Sequence, residues 1–333
     1  MNTVMCLNVL ICMVGFGLLY WGAEWLVKGS SSLASDFGIS PIVIGLTVVA
    51  FGTSAPELVV SLVSAINGKN MLAVGNVVGS NILNITLVLG MVCMLRPMTV
   101  QRSVITRDIP IMLGISIYLV VICSDSELSR SDGITLFTFS ILYTLFNYYV
   151  SVNSYKNLPL EVTETSFAGT EKKASSKRHL TNILLIVTGI AGVIYGAQLV
   201  VDSSVKIMSV LEVSEKFIGL TIVAFGTSLP ELATSVVAGI RKETDIGIGN
   251  LIGSNVFNIS SVLGLTSIVR PISFTGGIVK NGLIADFSIM IVVSALPWAI
   301  MLKTRCLSRK SGGVLLFCYI CFIIYLYFFR NMG

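Results

Sequence analysis

Two glutamates that stand inside apolar stretches are the residues of this sequence best placed to do chemistry. Glu57 occurs in the string FGTSAPELVVS at 51–61, and Glu231 occurs in a near copy, FGTSLPELATS, at 225–235. A carboxylate near the middle of a lipid bilayer costs on the order of 2.5–3.5 kcal/mol. This cost favours a partner of opposite charge for each side chain, and the simplest such partner is a cation.

The proline beside each glutamate predicts a broken helix. Pro56 lacks an amide hydrogen and clashes with the preceding turn, so the incoming helix should end near Ser54 and a second helix should begin there. Glu57 then stands three residues after an N-cap serine, which is also the spacing of a capping box. Capping by Ser54 with Glu57, repeated by Ser228 with Glu231, is therefore the structural alternative to ion binding, although a cap contributes only about 1 kcal/mol.

Oxygen donors accompany both carboxylates. A helix break frees backbone carbonyl groups from their i+4 donors, and Ala50 and Ala224 stand at those positions. The next apolar run carries GNVVGSNILNI at 75–85, with a copy, GNLIGSNVFNI, at 249–259, and each string places a serine and an asparagine four residues apart on one helix face. The candidate ligands are the side chains of Glu57, Glu231, Thr53, Ser54, Thr227, Ser228, Ser80, Ser254, Asn84 and Asn258 and the carbonyl groups of Ala50 and Ala224. Six to eight hard oxygen ligands suit Ca²⁺ better than zinc or copper, and the same set can hold Na⁺.

The remaining small and polar residues of these strings have a structural interpretation. The GxxxG spacing predicts close helix packing, and the other asparagines, which point away from the serine and asparagine face, are expected to form interhelical hydrogen bonds. The glycines are Gly75, Gly79, Gly249 and Gly253, and the asparagines are Asn76, Asn81, Asn250 and Asn255.

The composition is that of a membrane protein. The chain has 333 residues, of which 54% are hydrophobic and only 12% charged, whereas about 25% of residues are charged in soluble domains. A bilayer core roughly 30 Å thick takes about 20 helical residues to cross. Ten runs are long enough, near 4–27, 40–66, 70–95, 104–124, 132–150, 181–205, 214–240, 244–270, 280–302 and 311–329. The first run has no basic segment before it and no cleavage pattern after it, so it is interpreted as a retained span.

Lys and Arg are distributed unevenly between the connections. With the N-terminus outside, the inward connections hold 15 of the 22 Lys and Arg, which is the positive-inside bias. Membrane topology therefore accounts for the net charge of +5, and no nucleic-acid partner is expected. Both termini are predicted to lie outside a plasma or inner membrane, with the 151–180 connection in the cytoplasm. Glu24 stands one turn before Lys28 near a span end, and the two are expected to pair.

The sequence contains an internal duplication. Residues 44–97 align with 218–271 at a constant offset of 174, without a gap, and 28 of 54 positions are identical. Because each half contains five spans, an odd number, the second half must cross the membrane in the opposite direction, as in many secondary transporters. The predicted organisation is an all-α membrane protein with a first half at 1–150, a flexible polar linker at 151–180 that is too short for a regulatory soluble domain, and an inverted second half at 181–333.

Together the strings GTSAPE with GNVVGSNILN, and GTSLPE with GNLIGSNVFN, resemble the paired alpha repeats of the cation/calcium exchanger superfamily, most closely its prokaryotic sodium/calcium exchangers. The resemblance covers nearly the whole chain. It implies that spans 2, 3, 7 and 8 are broken and form a cation site near the midplane. Glu57 and Glu231 would be central calcium ligands, and the other candidate residues would be further ligands of calcium or sodium. Spans 1 and 6 would move across this core to alternate access.

One departure from the family concerns Asn258, because some relatives have Asp there. The fixed charge of the site is then −2, which one Ca²⁺ neutralises, as do two Na⁺ or two protons. A third Na⁺ would leave an uncompensated charge in a low-dielectric site. Potassium is not expected to be required.

The expected function is exchange of Ca²⁺ for Na⁺ by a secondary antiporter that is not an enzyme and needs no cofactor. Exchange of Ca²⁺ for H⁺ is the alternative, and a cation channel lined by the same ligands is another. An intramembrane hydrolase with two carboxylates as acid and base is disfavoured because the predicted spans contain neither histidine nor an HExxH motif. A purely structural scaffold would not need duplicated charges at the midplane.

Overall fold

The computed structural model describes residues 3–156, 176–210 and 224–329, and these are almost wholly helical. The helices are α1 (Thr3–Phe37), α2 (Pro41–Thr53), α3 (Ala55–Ile66), α4 (Asn70–Leu95), α5 (Val104–Asp125), α6 (Arg130–Lys156), α7 (Ser176–Val210), α8 (Ala224–Gly226), α9 (Leu229–Ile240), α10 (Thr244–Val269), α11 (Gly277–Lys280), α12 (Leu283–Thr304) and α13 (Arg309–Phe329). The short strands are β1 (Met98–Thr99), β2 (Glu127–Leu128), β3 (Ile272–Ser273) and β4 (Cys306–Leu307).

Within the described residues, eight helices are long and apolar enough to cross a membrane, or nine if the bent pair α2 and α3 counts as one span. These nine agree with nine of the ten predicted spans. The tenth prediction, 214–240, falls partly on residues 211–223, which lie outside the described residues. Part of the predicted linker, 157–175, lies outside them as well. The chain is therefore a multi-pass integral membrane protein.

The predicted break in the second span is present. α2 and α3 meet at an angle of 43°. Ser54 separates them with φ −79° and ψ 5°, and Pro56 lies in the first turn of α3, where its missing amide hydrogen leaves no helical hydrogen bond unmade. In the second copy, Ser228 in the same way separates α8 from α9.

The prediction that spans 3 and 8 are also broken is wrong. Each is one continuous helix, α4 or α10. Neither contains a proline, so nothing in the backbone forces a break. Instead each helix widens into a π-helical segment, Asn84–Val88 in α4 and Asn258–Leu263 in α10, and each segment begins at the predicted asparagine ligand. π-helical turns of this kind occur frequently at functional sites.

The duplicated helices form the interior of the molecule. In an apolar 18-residue stretch of α10, 83% of the residues are buried, and the corresponding share in α4 is 78%. The shares are only 22% in α1 and 17% in α13, which present most of their surface outward. Polar side chains of α4 and α10 are therefore surrounded by protein, and the lipid-facing surface is left to the apolar outer helices.

α1 and α7 lie antiparallel along each other and pack through glycines. A Cβ atom on Gly22 would lie 2.6 Å from the Val193 nitrogen, and one on Gly196 would lie 2.6 Å from the Leu19 nitrogen. Such distances leave no room for a side chain, so the two backbones touch along a smooth seam. Of the predicted GxxxG glycines, Gly249 and Gly253 pack in the same way against α2, because a Cβ atom on either would lie 2.5 Å from a carbonyl oxygen of that helix. A Cβ atom on Gly75 or Gly79 would meet nothing within 4 Å among the described residues, so the prediction is not confirmed for that pair.

Two antiparallel strand pairs join connections that are distant in the sequence. β1 pairs with β4, so that Met98 lies opposite Leu307. β2 pairs with β3, so that Leu128 lies opposite Ile272. Each pair ties a connection of the first half to one of the second half and closes one end of the helix bundle.

Candidate cation site

The two glutamates belong to one buried cluster, in which each carboxylate accepts a hydrogen bond from the other copy. The Ser54 hydroxyl donates to Glu231 Oε1 at 3.2 Å, and the Ser228 hydroxyl donates to Glu57 Oε1 at 3.3 Å. Both carboxylates are fully buried, with an exposed fraction of 0%. The N-termini of α3 and α9 therefore face each other, which favours negative charge on both glutamates.

The capping-box alternative is wrong. Ser54 and Ser228 occupy the N-cap positions of α3 and α9, but neither side chain makes a capping hydrogen bond. Their hydroxyl groups are used across the interface between the two copies instead.

The predicted hydroxyl groups of α4 and α10 reach the same cluster. The Ser80 hydroxyl donates to Glu57 Oε1 at 3.3 Å. The Ser254 hydroxyl lies 3.4 Å from that of Thr53. These are short side chains on the buried faces of interior helices, so their positions are set by the helix backbones rather than by flexible stems.

Asn84 and Asn258, the predicted amide ligands, are held by two further asparagines. Asn84 Nδ2 donates to Asn255 Oδ1 at 3.1 Å, and Asn258 Nδ2 donates to Asn81 Oδ1 at 3.1 Å. Asn81 Nδ2 in turn donates to the backbone carbonyl of Asn255 at 3.1 Å, and Asn255 Nδ2 donates to that of Asn81 at 3.3 Å. All four side chains are buried, so α4 and α10 are joined at the centre by a closed network of amides.

Four buried oxygen atoms in this cluster accept no hydrogen bond from the described part of the chain. They are Glu57 Oε2, Glu231 Oε2, Asn84 Oδ1 and Asn258 Oδ1. Buried oxygens without donors are costly, and two carboxylates and two amides are the ligand types that Ca²⁺ and Na⁺ prefer. The residues therefore fit a cation.

An outer layer of side chains orients the threonines of the cluster. The Thr53 hydroxyl donates to Asn250 Oδ1 at 3.1 Å, and the Thr227 hydroxyl donates to Asn76 Oδ1 at 3.5 Å. Asn76 is fixed by its own bond to the Ser61 hydroxyl at 2.9 Å. The expectation that these asparagines form interhelical hydrogen bonds is confirmed.

The prediction that the break frees the Ala50 carbonyl is wrong. The Ser54 amide donates to that carbonyl at 3.1 Å, and the Thr53 hydroxyl oxygen lies 3.3 Å from it. The reason is that α2 stays helical as far as Thr53, so the usual i+4 bond still forms. In the second copy, the Ser228 amide donates to the Phe225 carbonyl at 3.2 Å.

The sequence reasoning did not assign Asn81 and Asn255 to the site. A signal was available, because each stands three residues before a predicted ligand and residues three apart share a helix face. The expected pairing of Glu24 with Lys28 is also wrong. Glu24 instead forms an ion pair with Arg241, whose Nε lies 2.7 Å from Glu24 Oε2.

A family model, related sequences and a solved structure each match nearly the whole chain. The family model described as sodium/calcium exchanger protein matches residues 7–149 and 181–328. The inner membrane protein YrbG of Escherichia coli is 37% identical, over 94% of this chain and 94% of its own length. The sodium/calcium exchanger MaX1 of Methanosarcina acetivorans is 30% identical, over 96% of this chain and 99% of its own. A structure of the sodium-calcium exchanger NCX_Mj, soaked without Na⁺ or Ca²⁺, superimposes with a TM-score of 0.81 at 32% identity, covering 97% of this chain and 99% of that one.

Proposed function

Because this chain belongs to the sodium/calcium exchanger family, we propose that it is a secondary antiporter that exchanges Ca²⁺ for Na⁺ across the membrane by alternating access. The single observation that carries this proposal is the set of four buried oxygens without donors on Glu57, Glu231, Asn84 and Asn258. MaX1 and NCX_Mj, whose names state sodium/calcium exchange, support the choice of ions.

The transported cation lies between the two glutamates and is held by both carboxylates. Oxygens of Asn84 and Asn258 complete the central position. The hydroxyl groups of Thr53, Ser54, Thr227, Ser228, Ser80 and Ser254 and the carbonyl groups of Ala50 and Ala224 are proposed as further ligands, by which Na⁺ occupies neighbouring positions. The Ala50 carbonyl accepts the helical bond from the Ser54 amide and would coordinate through its second lone pair.

The mechanism is competition for the carboxylates. Ca²⁺ and Na⁺ share Glu57 and Glu231, so only one kind of ion is bound at a time. An empty carrier would have to change its access state while holding two uncompensated negative charges in surroundings that cannot solvate them. This cost holds the empty carrier in place and couples the two fluxes.

The moving unit is the α1–α7 pair. It packs on itself through glycines and meets the core through an apolar cluster that includes Leu26, Val193 and Ile44, whereas the ligands lie on helices joined by buried hydrogen bonds. A pair of this kind can slide across the core without breaking polar contacts at the ion site.

Ten spans in two inverted halves are the arrangement that best accounts for the contacts. The bond from Ser54 to Glu231 has a counterpart from Ser228 to Glu57. Each residue of the second bond lies 174 positions from its equivalent in the first, which is the relation that a two-fold axis between the copies would give. The strands of each pair, β1 with β4 and β2 with β3, belong to connections predicted on the same side of the membrane. We therefore retain the halves 1–150 and 181–333, the cytoplasmic linker 151–180 and both termini outside.

The experiment is calcium uptake into proteoliposomes that contain the purified full chain. An outward Na⁺ gradient should drive ⁴⁵Ca²⁺ accumulation, and a K⁺ gradient applied instead should not. Uptake driven by an outward proton gradient and indifferent to Na⁺ would replace the proposal with Ca²⁺/H⁺ exchange. Calcium flux that Na⁺ on the opposite side does not accelerate would indicate a channel.

A further inference from the structure

We propose that Asn81 and Asn255 are positioning residues that hold the amide oxygens of Asn84 and Asn258 toward the ion. The inference rests on the proposed transport of Ca²⁺ through this site. It adds which side chains orient the ligands.

The orientation of each amide follows from a backbone acceptor. A carbonyl oxygen can only accept, so the side chain of Asn255, which meets the Asn81 backbone carbonyl at 3.3 Å, must present its NH₂ group there. Its oxygen then faces Asn84 at 3.1 Å, and Asn84 must present its own NH₂ group to that oxygen. The oxygen of Asn84 is consequently the atom left without a donor.

The same chain of bonds runs in the other copy. Asn81 meets the Asn255 backbone carbonyl at 3.1 Å with its NH₂ group, which turns its oxygen toward Asn258 at 3.1 Å. Asn258 must therefore donate there and leave its oxygen unpaired. Neither ligand amide can rotate by half a turn without placing two oxygens or two NH₂ groups in contact.

This arrangement also selects a neutral side chain at positions 84 and 258. A carboxylate at either position would face the oxygen of Asn255 or Asn81, and an acceptor against an acceptor is unfavourable in a buried site. Within residues 3–156, 176–210 and 224–329, no third His, Cys, Asp or Glu joins the Glu57 and Glu231 pair in a metal-binding cluster. The charge of the site is thus limited to the two glutamates.

The positioning role is tested by equilibrium binding of ⁴⁵Ca²⁺ to the purified full chain in detergent. Asn81→Ala and Asn255→Ala should each weaken calcium binding by about 10–100-fold, the usual effect of removing a residue that orients a metal ligand. The matched control is Asn147→Ala, which also removes a buried asparagine, one that bonds to Arg107 at 3.1 Å and to the Tyr143 carbonyl at 3.0 Å. It should lower the melting temperature and leave calcium binding unchanged. Folded Asn81→Ala and Asn255→Ala chains with the wild-type Kd would overturn the positioning role.

The binding experiment also separates the positioning role from the proposed function. If the wild-type chain binds ⁴⁵Ca²⁺ and the folded variants bind it equally well, the positioning role is overturned and the proposed exchange stands. If the wild-type chain binds no ⁴⁵Ca²⁺, the proposed function itself is contradicted.

Discussion

The contacts at the centre of the molecule follow the internal duplication, whereas the contacts of α1 with the C-terminal end of α9 do not. At the centre, the bond from Ser54 to Glu231 recurs as the bond from Ser228 to Glu57. At the C-terminal end of α9, α1 is tied to the core by the ion pair of Glu24 with Arg241. The equivalent positions 174 residues away are Gln198 and Asn67, and no side-chain bond joins these two in the described part of the chain.

A second tie at the same end repeats this asymmetry. The Ser31 hydroxyl donates to Glu243 Oε1 at 2.8 Å. The equivalent residues are Val205 and Lys69, which cannot form such a bond because valine has no polar atom in its side chain. The contacts among the candidate ligands are therefore symmetric, whereas the polar contacts between α1 and the core are not. Under the proposed alternating access, this asymmetry would favour one access state over the other.

The largest effect is expected from breaking the symmetry of the ligands themselves. Glu57→Gln or Glu231→Gln should abolish calcium transport, because each removes half of the charge that balances Ca²⁺ and leaves an amide in its place. Flux of ⁴⁵Ca²⁺ into proteoliposomes measures the loss. Glu127→Gln, at an exposed position in β2, is the control and should transport normally. Transport in either ligand variant at the wild-type rate would show that the copies do not share one site.

A smaller loss is expected when α1 and α7 are forced apart, so that the moving pair no longer fits the core over which it slides. Gly22→Leu places a side chain where a Cβ atom would already lie 2.6 Å from the Val193 nitrogen. Overpacking of this kind costs about 1–3 kcal/mol, and a transport barrier raised by that amount lowers flux by about 5- to 150-fold. Calcium binding in detergent should be unchanged, because the substitution leaves the ligands in place.

The control for this variant lies on the same helix. A Cβ atom on Gly17 would meet nothing within 4 Å, so Gly17→Leu should keep both flux and binding. Equal loss of flux and calcium affinity in Gly22→Leu would mean that the pair is part of the site rather than a separate moving unit.

The two reciprocal serine bonds should contribute equally to the affinity for Ca²⁺. Ser54→Ala and Ser228→Ala each remove a hydroxyl that donates to the glutamate of the other copy. Hydrogen bonds to charged groups contribute about 1.5–3 kcal/mol. We expect Ca²⁺ affinity to fall by about tenfold or more in both variants, as measured by equilibrium binding. An effect confined to one serine would contradict the equivalence of the copies, and Ser124→Ala, at an exposed position, should have no effect.

The smallest effect is expected at the asymmetric end. Glu24→Gln breaks an ion pair in which the Arg241 side chain is 54% exposed. Such pairs contribute roughly 0.2–1 kcal/mol, so the KM for Ca²⁺ should change by less than about fivefold. The change should be opposite in direction on the two faces of oriented vesicles. Lys28→Gln is the matched control, and an identical change on both faces in Glu24→Gln would contradict a role in access.

The break in the second span and most members of the buried cluster could be predicted from the sequence. Pro56 acts on its own backbone neighbours, so its effect does not depend on the rest of the fold. The serine and asparagine spacing likewise fixes which residues share a helix face, and the repetition of both strings indicates that the two copies act together.

Long-range contacts could not be predicted in this way. The partner of Glu24 is Arg241, which is 217 residues away, and local spacing pointed to Lys28 instead. The Ala50 carbonyl stays bonded because α2 continues as far as Thr53, so the amide of Ser54, its i+4 donor, still reaches it. Asn81 and Asn255 gain their role only when α4 and α10 lie side by side, which periodicity within a single helix does not specify.

The most direct measurement is the anomalous diffraction of a crystal of this protein soaked in Ca²⁺. We expect a single calcium peak at the buried cluster, with an oxygen of Glu57 and an oxygen of Glu231 both about 2.3–2.6 Å from the ion. A peak that contacts only one of these carboxylates, or calcium bound elsewhere while the cluster holds none, would contradict a shared site between the two copies.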